Sequence, residues 1–184
     1  MTKGFEEMET NKRLDDFRKH KDEYFASGAH SPLEHEQQHH FDGLSYFDYD
    51  PALQFELDID AVENQGEPLT LDTSDDQKVD FLIAGKVKFL VGNGQYELTV
   101  LKDYDRGRFF LPFADTTNGL ETYQGGRYID PQEKPNGKLT VDFNYAYNPY
   151  CAYGEGWSCP LPPDANQLPV EIRAGEKSFQ LAEH

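Results

Sequence analysis

The stretch that decides the fold is residues 86–101, KVKFLVGNGQYELTVL. Two runs rich in Val, Phe, Tyr, Thr and Leu flank Gly92-Asn93-Gly94, a loop whose residue types accept positive φ. This pattern predicts an antiparallel hairpin with strands at 86–91 and 95–101. Working outward, Leu53, Phe55, Leu57 and Ile59 alternate with Gln54, Glu56, Asp58 and Asp60. A period of two places those apolar side chains on one face of a pleated strand and the polar ones in water. Further short strands are predicted at 68–72, 79–83, 108–113, 127–129, 138–143 and 168–173. Thr73-Ser74-Asp75-Asp76, Asn118-Gly119, Gly125-Gly126 and Pro135-Asn136-Gly137 supply turns between them. Many short strands at this spacing imply a mainly β fold, an antiparallel sandwich or open barrel.

Upstream of residue 50 the period is helical. Phe5, Met8, Leu14, Phe17, Tyr24 and Phe25 recur at three- and four-residue spacings among abundant charges, predicting a thin-striped surface helix over 5–26. Ser31-Pro32-Leu33-Glu34 predicts a second, short helix with Ser31 as N-cap, ending near Phe41 or Asp42 before Gly43. The organisation is thus one or two N-terminal α-helices in a polar segment, 1–50, packed on an antiparallel β domain, 51–184. An irregular excursion rich in Pro, Tyr and Cys occupies 144–167.

At 184 residues the chain has room for one domain with a real core, and 13 Phe and 11 Tyr supply much of its bulk. Acidic residues outnumber basic ones 34 to 17, a formal net charge of -17. Such a chain repels phosphate backbones and anionic lipid, which argues against nucleic-acid and membrane partners. The acidity itself reads either as attraction for cationic ligands or as solubility, including in a saline cytoplasm. No apolar run approaches the roughly 20 residues a spanning helix needs. Two cysteines are too few for a disulfide scaffold, so the default location is the cytoplasm. Oligomeric state is not legible.

Two groups of residues carry candidate chemistry. His35-Glu36-Gln37-Gln38-His39 matches the H-E-x-x-H pattern, in which histidines one turn apart bind zinc and the glutamate activates water. Context disfavours it. The extended motif requires Gly at 42 and His at 45, and those positions hold Asp42 and Ser45. No histidine occurs between His40 and His184, so a third ligand would have to be a carboxylate such as Glu56 or Glu63. No metal and no cofactor are predicted.

The second group lies between residues 110 and 176. Asp115, Thr116, Tyr123, Arg127, Tyr128, Asp142, Asn144, Tyr147, Asn148 and Tyr153 crowd into about forty residues, many at strand ends or in loops. Gathered in a pocket, they would bind a small molecule between aromatic walls, with Arg127 forking to a carboxylate or phosphate. Distributed under an irregular loop, they would instead satisfy backbone groups, with Arg127 a buried ion-pair member. Cys151 and Cys159 bracket Ala-Tyr-Gly-Glu-Gly-Trp-Ser, with Trp157 expected to anchor the loop. The pair reads as packed thiols, a disulfide, a redox pair or, least well, a nucleophile.

The strings PFADTTNGLETYQGGRYID (112–130), VDFNYAYNPYCAYGEGWSCPLPP (141–163) and LPVEIRAGEKSF (168–179) resemble the bacterial and archaeal family known as domain of unknown function 1684. SPL (31–33) and FDGLSYFDYDP (41–51) extend the resemblance to roughly residues 10–180. The resemblance implies no activity, substrate or cofactor. Because members carry Glu-Gln at this point without the flanking histidines, it does imply that His35 and His39 are local additions. The expectation is a small-molecule binding domain. The alternatives are a hydrolase using the acids of the same pocket and, disfavoured, a zinc peptidase at His35, Glu36 and His39.

Overall fold

A computed structural model describes residues 3–180, with side chains from Met8 onward; Phe5 and His184 lie outside the described side chains. Two helices, α1 (Lys3–Ser27) and α2 (His35–His40), precede eight strands. These are β1 (Gln54–Leu57), β2 (Pro68–Asp72), β3 (Lys78–Val91), β4 (Gly94–Lys102), β5 (Phe109–Phe113), β6 (Arg127–Ile129), β7 (Gln132–Glu133) and β8 (Leu139–Asp142). Strand outweighs helix, 32% to 22%, and the antiparallel sheet curls into a half-barrel. Its order is β2-β3-β4-β5-β6, with a three-stranded sheet β1-β8-β7 beside it.

The hairpin stands as β3 and β4, with Val91 opposite Gly94 and Lys86 opposite Thr99. Where two strands were expected, 79–83 and 86–91, a single fourteen-residue strand runs through a bulge between Ile83 and Gly85. The bulge changes which face each residue meets. A strict period of two would put Phe81, Ile83, Val87 and Phe89 together. The extra residue instead sends Phe81 and Ile83 to a cluster with Leu71 and Leu101, and Val87 and Phe89 to the main core with Leu98, Val100, Phe113, Val141 and Phe143. Gly85 enables the bend at φ +146, where an added Cβ would stand 2.6 Å from the Asp60 carbonyl oxygen. Asp60 and Lys86 exchange backbone hydrogen bonds of 2.8 and 3.0 Å at that point, tying the chain after β1 to the bend.

Two other expectations are corrected. Ser31 does not cap α2: its hydroxyl donates to the Phe25 carbonyl (2.7 Å) and accepts from Leu33 N–H (3.1 Å), holding a turn against the end of α1. The N-cap is Glu34, whose N–H donates to Gln37 Oε1 (2.8 Å), and the C-cap is Phe41. Residues 168–173 form no strand. Leu168, Ile172 and Ala174 are buried in the main core; Leu168 and Val170 bond the backbone of Ala114 and Thr116 without building a regular ladder, and at Ile172 and Ala174 the partners are side chains. Ile172 N–H donates to Asp115 Oδ1, and the Ile172 and Ala174 carbonyls accept from Arg127.

Helix α1 docks through few groups. Leu14 and Phe25 are buried, Phe17 rests on Tyr145 with ring centroids 5.0 Å apart, and the Arg18 guanidinium lies over Tyr46. Asp22 accepts from Leu44 N–H (3.0 Å), and Lys21 pairs with the buried Glu176. Tyr153 packs edge-on to Phe25 at 4.8 Å and donates to the same Glu176 carboxylate. The helical segment and the irregular excursion are thereby fastened at one carboxylate.

Candidate functional site

Eight of the ten expected site residues fall into three groups, and Tyr123 and Tyr153 lie apart from them. Asp115 and Arg127 meet 2.9 Å apart with no exposed side-chain surface. The Arg127 guanidinium also donates to the carbonyls of Ile172, Ala174 and Glu176. Asp115 in turn accepts from Thr117 N–H and Oγ1–H at 2.8 and 2.6 Å. Burial pushes the arginine below its ordinary pKa, opposed by the Asp115 charge. This pair organises loops and faces no cavity. Thr116 is exposed beside it.

The second group is a cap. Asp142 accepts from Asn144 N–H (2.9 Å) at the turn that follows β8. Asn144 bridges to Asp50, accepting from its N–H and donating to its carbonyl, both 2.9 Å. Burial raises the Asp142 pKa, against the opposing Asn144 bonds.

The third group converges. Tyr128 and Tyr147 stand edge-to-face at 5.6 Å, joined by mutual backbone hydrogen bonds of 2.9 and 3.0 Å that carry the sheet beyond β6. With Asn148 they line a cavity of about 870 Å³. Its other walls are Phe81, Phe109, Phe110, Tyr150 and Trp157, with Asp103, Arg108, Asp130 and Glu133 as its charged groups and Cys159 at one side. Tyr147 Oη–H donates equally to both Asp130 oxygens (3.0 Å). These two residues also border a second cavity of about 520 Å³, closed by Arg13 and Phe17 of α1 and by Asp142. Burial raises the pKa of Asp130 and keeps the Tyr128 and Tyr147 phenols protonated. Asp130 retains an exposed surface, so solvent screens that shift.

Asn148 is 1% exposed, and its Oδ1 has no hydrogen-bond partner. Its amide donates to the Lys177 carbonyl (2.8 Å), and its backbone N–H to Glu176 (2.9 Å). Tyr153 lies away from the cavity, buried on Glu176. Tyr123 donates to Cys151 Sγ at 3.5 Å. Cys151 and Cys159 are adjacent free thiols, with Cys151 N–H donating to Cys159 Sγ at 3.3 Å. Trp157 is no buried anchor: it is 38% exposed at the cavity rim, edge-on to Tyr150 at 4.9 Å. The loop is held instead by Ser74, which donates to the Trp157 carbonyl and accepts from Cys159 N–H, both 3.1 Å.

Sequence reasoning passed over Asp130, Glu176 and Asn166. Asp130 directly follows β6, a position that could have drawn notice. Asn166 bonds Thr99 N–H and the carbonyls of Thr99 and Pro112, and nothing local marks it. His35 and His39 meet edge-on at 4.6 Å on the exposed face of α2, and among the described residues no third ligand joins them.

The fold and groove define a class: an acidic half-barrel β domain, strapped by an N-terminal helix, with an aromatic cavity at one edge of its sheet. The chain belongs to the family described as Protein of unknown function (DUF1684), whose model matches residues 39–177. It is similar to the uncharacterized protein from gene locus rrnAC0354 of Haloarcula marismortui, known from a solution NMR structure. That protein is 38% identical over 96% of this chain and 97% of its own, with a TM-score of 0.69. No curated protein matches the chain. No helix among the described residues is long and apolar enough to cross a membrane.

Proposed function

We propose that the chain is a binding module for a small organic cation, held between Tyr128, Tyr147 and Trp157 beside Asp130. The observation that carries this reading is the set of aromatic side chains, Tyr128, Tyr147, Tyr150 and Trp157, that line the cavity together with the Asp130 carboxylate. Charge points the same way. The cavity carries three carboxylates, Asp103, Asp130 and Glu133, against the single cation Arg108, which pairs with Asp103 at 3.4 Å, among ring faces that favour cations. The cavity volume lies within the usual range for small-molecule sites, roughly 300–1,000 Å³. The hydrolase reading has less support, because Asp115 is sealed against Arg127 and Asp142 caps a turn.

Trp157 is the single tryptophan and sits on the rim, so its fluorescence reports on the site. Titration with benzylamine and with choline is expected to give saturable changes, while benzyl alcohol and the uncharged tert-butyl analogue of choline give much weaker ones. Asp130→Asn should weaken the cation response severalfold. Equal responses to charged and uncharged members of each pair, or none to any of the four, would refute the reading.

A further inference from the structure

We propose that Cys151 and Cys159 form a reversible dithiol–disulfide site that exchanges with small aliphatic disulfides, Cys151 attacking and Cys159 resolving. The inference is independent of what the groove binds. Buried structural thiols are ordinarily packed as small apolar groups and make few polar contacts. Here Cys151 Sγ accepts from Tyr123 Oη–H at 3.5 Å, and Cys159 Sγ accepts from Cys151 N–H at 3.3 Å. The two residues differ in exposure in the sense the chemistry requires. Cys151 is partly exposed, so an incoming disulfide can reach it, whereas Cys159 is 6% exposed, at one side of the cavity.

The surrounding chain suits the change. Cys151 sits in the single turn Tyr150–Ala152, and Gly154 and Gly156 lie in the loop between the sulfurs, Gly156 at φ +85. Cys159 is held by Ser74, whose N–H donates to the Cys159 carbonyl (2.9 Å). The attacking half therefore lies on adaptable chain and the resolving half on the side pinned to the turn after β2.

Titration agrees with this assignment. Hydrogen bonding from Cys159, against the opposing effect of burial and with help from Tyr123 and Ser74, brings the Cys151 thiol down to about 6. The hydrogen bond to Cys151, together with burial, pushes Cys159 up. The first proton lost from the pair is thus lost from Cys151, the sulfur that solvent reaches, and a thiolate is the nucleophile in exchange.

The reaction balances as follows. Cys151 S⁻ attacks one sulfur of R–S–S–R, forming Cys151–S–S–R and releasing R–S⁻, which takes a proton from solvent. Cys159 then loses its proton and attacks Cys151 Sγ, and the second R–S⁻ departs with that proton. The protein gives up two electrons and two protons, and the disulfide becomes two R–SH.

The test incubates the full-length protein with oxidised glutathione and reads intact mass. Wild type is expected to lose two hydrogens without retaining glutathione, and dithiothreitol to restore the starting mass. Cys159→Ser should trap one glutathione at Cys151, and Cys151→Ser should react at least tenfold more slowly. In parallel, the rate of wild-type alkylation by iodoacetamide should rise with a midpoint near pH 6 at Cys151, a readout that requires no variant to fold. The proposal is overturned by no mixed disulfide in Cys159→Ser, by equal trapping in both variants, by a wild-type disulfide that dithiothreitol does not reduce, or by an alkylation midpoint at the ordinary thiol value.

Discussion

Replacing Arg127 with methionine probes the main polar joint of the fold. The change removes a charge with no exposed surface, leaving the Asp115 carboxylate without its cation and the carbonyls of Ile172, Ala174 and Glu176 without their donor. Removing one member of a buried pair costs about 3–5 kcal/mol, because the other charge stays buried. Asp115 keeps its Thr117 and Ile172 donors, which moderates the loss, while the abandoned carbonyls add to it. Methionine restores most of the packing against Phe113, whose ring centroid is 5.2 Å from the guanidinium carbon, so little cavity cost enters.

A loss of about 4 kcal/mol is much of what a domain of this size possesses. With a urea slope of about 2 kcal/mol/M, the unfolding midpoint should fall by about 2 M. The decisive comparison is the double variant with Asp115→Leu. Removing both charges leaves no uncompensated ion, so it should be more stable than Arg127→Met alone. The reasoning fails if Arg127→Met folds and loses less than about 1 kcal/mol. It fails equally if the two single losses simply add.

Gly85→Ala should lose at least about 1 kcal/mol in urea unfolding, since alanine at positive φ is strained and its Cβ would meet the Asp60 carbonyl. Asn166→Ala, which strands Thr99 N–H and two carbonyls, should lose about 1–3 kcal/mol; a change under a few tenths would show those groups satisfied otherwise. Glu176→Gln weakens the joint of α1 to the excursion, so limited proteolysis should cut α1 faster while the β3–β4 hairpin stays protected in hydrogen exchange. Asp142 has its folded pKa raised by burial, so its contribution is full below the ordinary carboxylate value near 4 and is lost as pH rises through the folded pKa. Asp142→Asn should therefore flatten the fall in melting temperature between about pH 4 and the folded pKa, and an unchanged slope would place that dependence elsewhere.

What could be read in advance, and what could not, follows from the range of the interactions. The hairpin was legible because its turn chemistry and its period of two are local, and β2 and β6 likewise. The joining of 79–83 to 86–91 was not, because a bulge at Gly85 is specified by Asp60, more than twenty residues away. Residues 168–173 have the composition of a strand, but composition is silent on how far a ladder runs, and here backbone pairing with Ala114 and Thr116 gives way at Ile172 to Arg127 and Asp115. The site shows the same limit. Arg127 and Asp115 suggested a ligand fork because a guanidinium recognises a carboxylate and a set of carbonyls by the same donors, and only burial decides which it meets. Tyr128, Tyr147 and Asn148 converge on the cavity because the bridge from Tyr128 to Tyr147 folds the excursion back on β6. That pairing also sets Tyr147 against Asp130, so a variant that breaks the bridge should disperse the site even with every side chain of the groove intact.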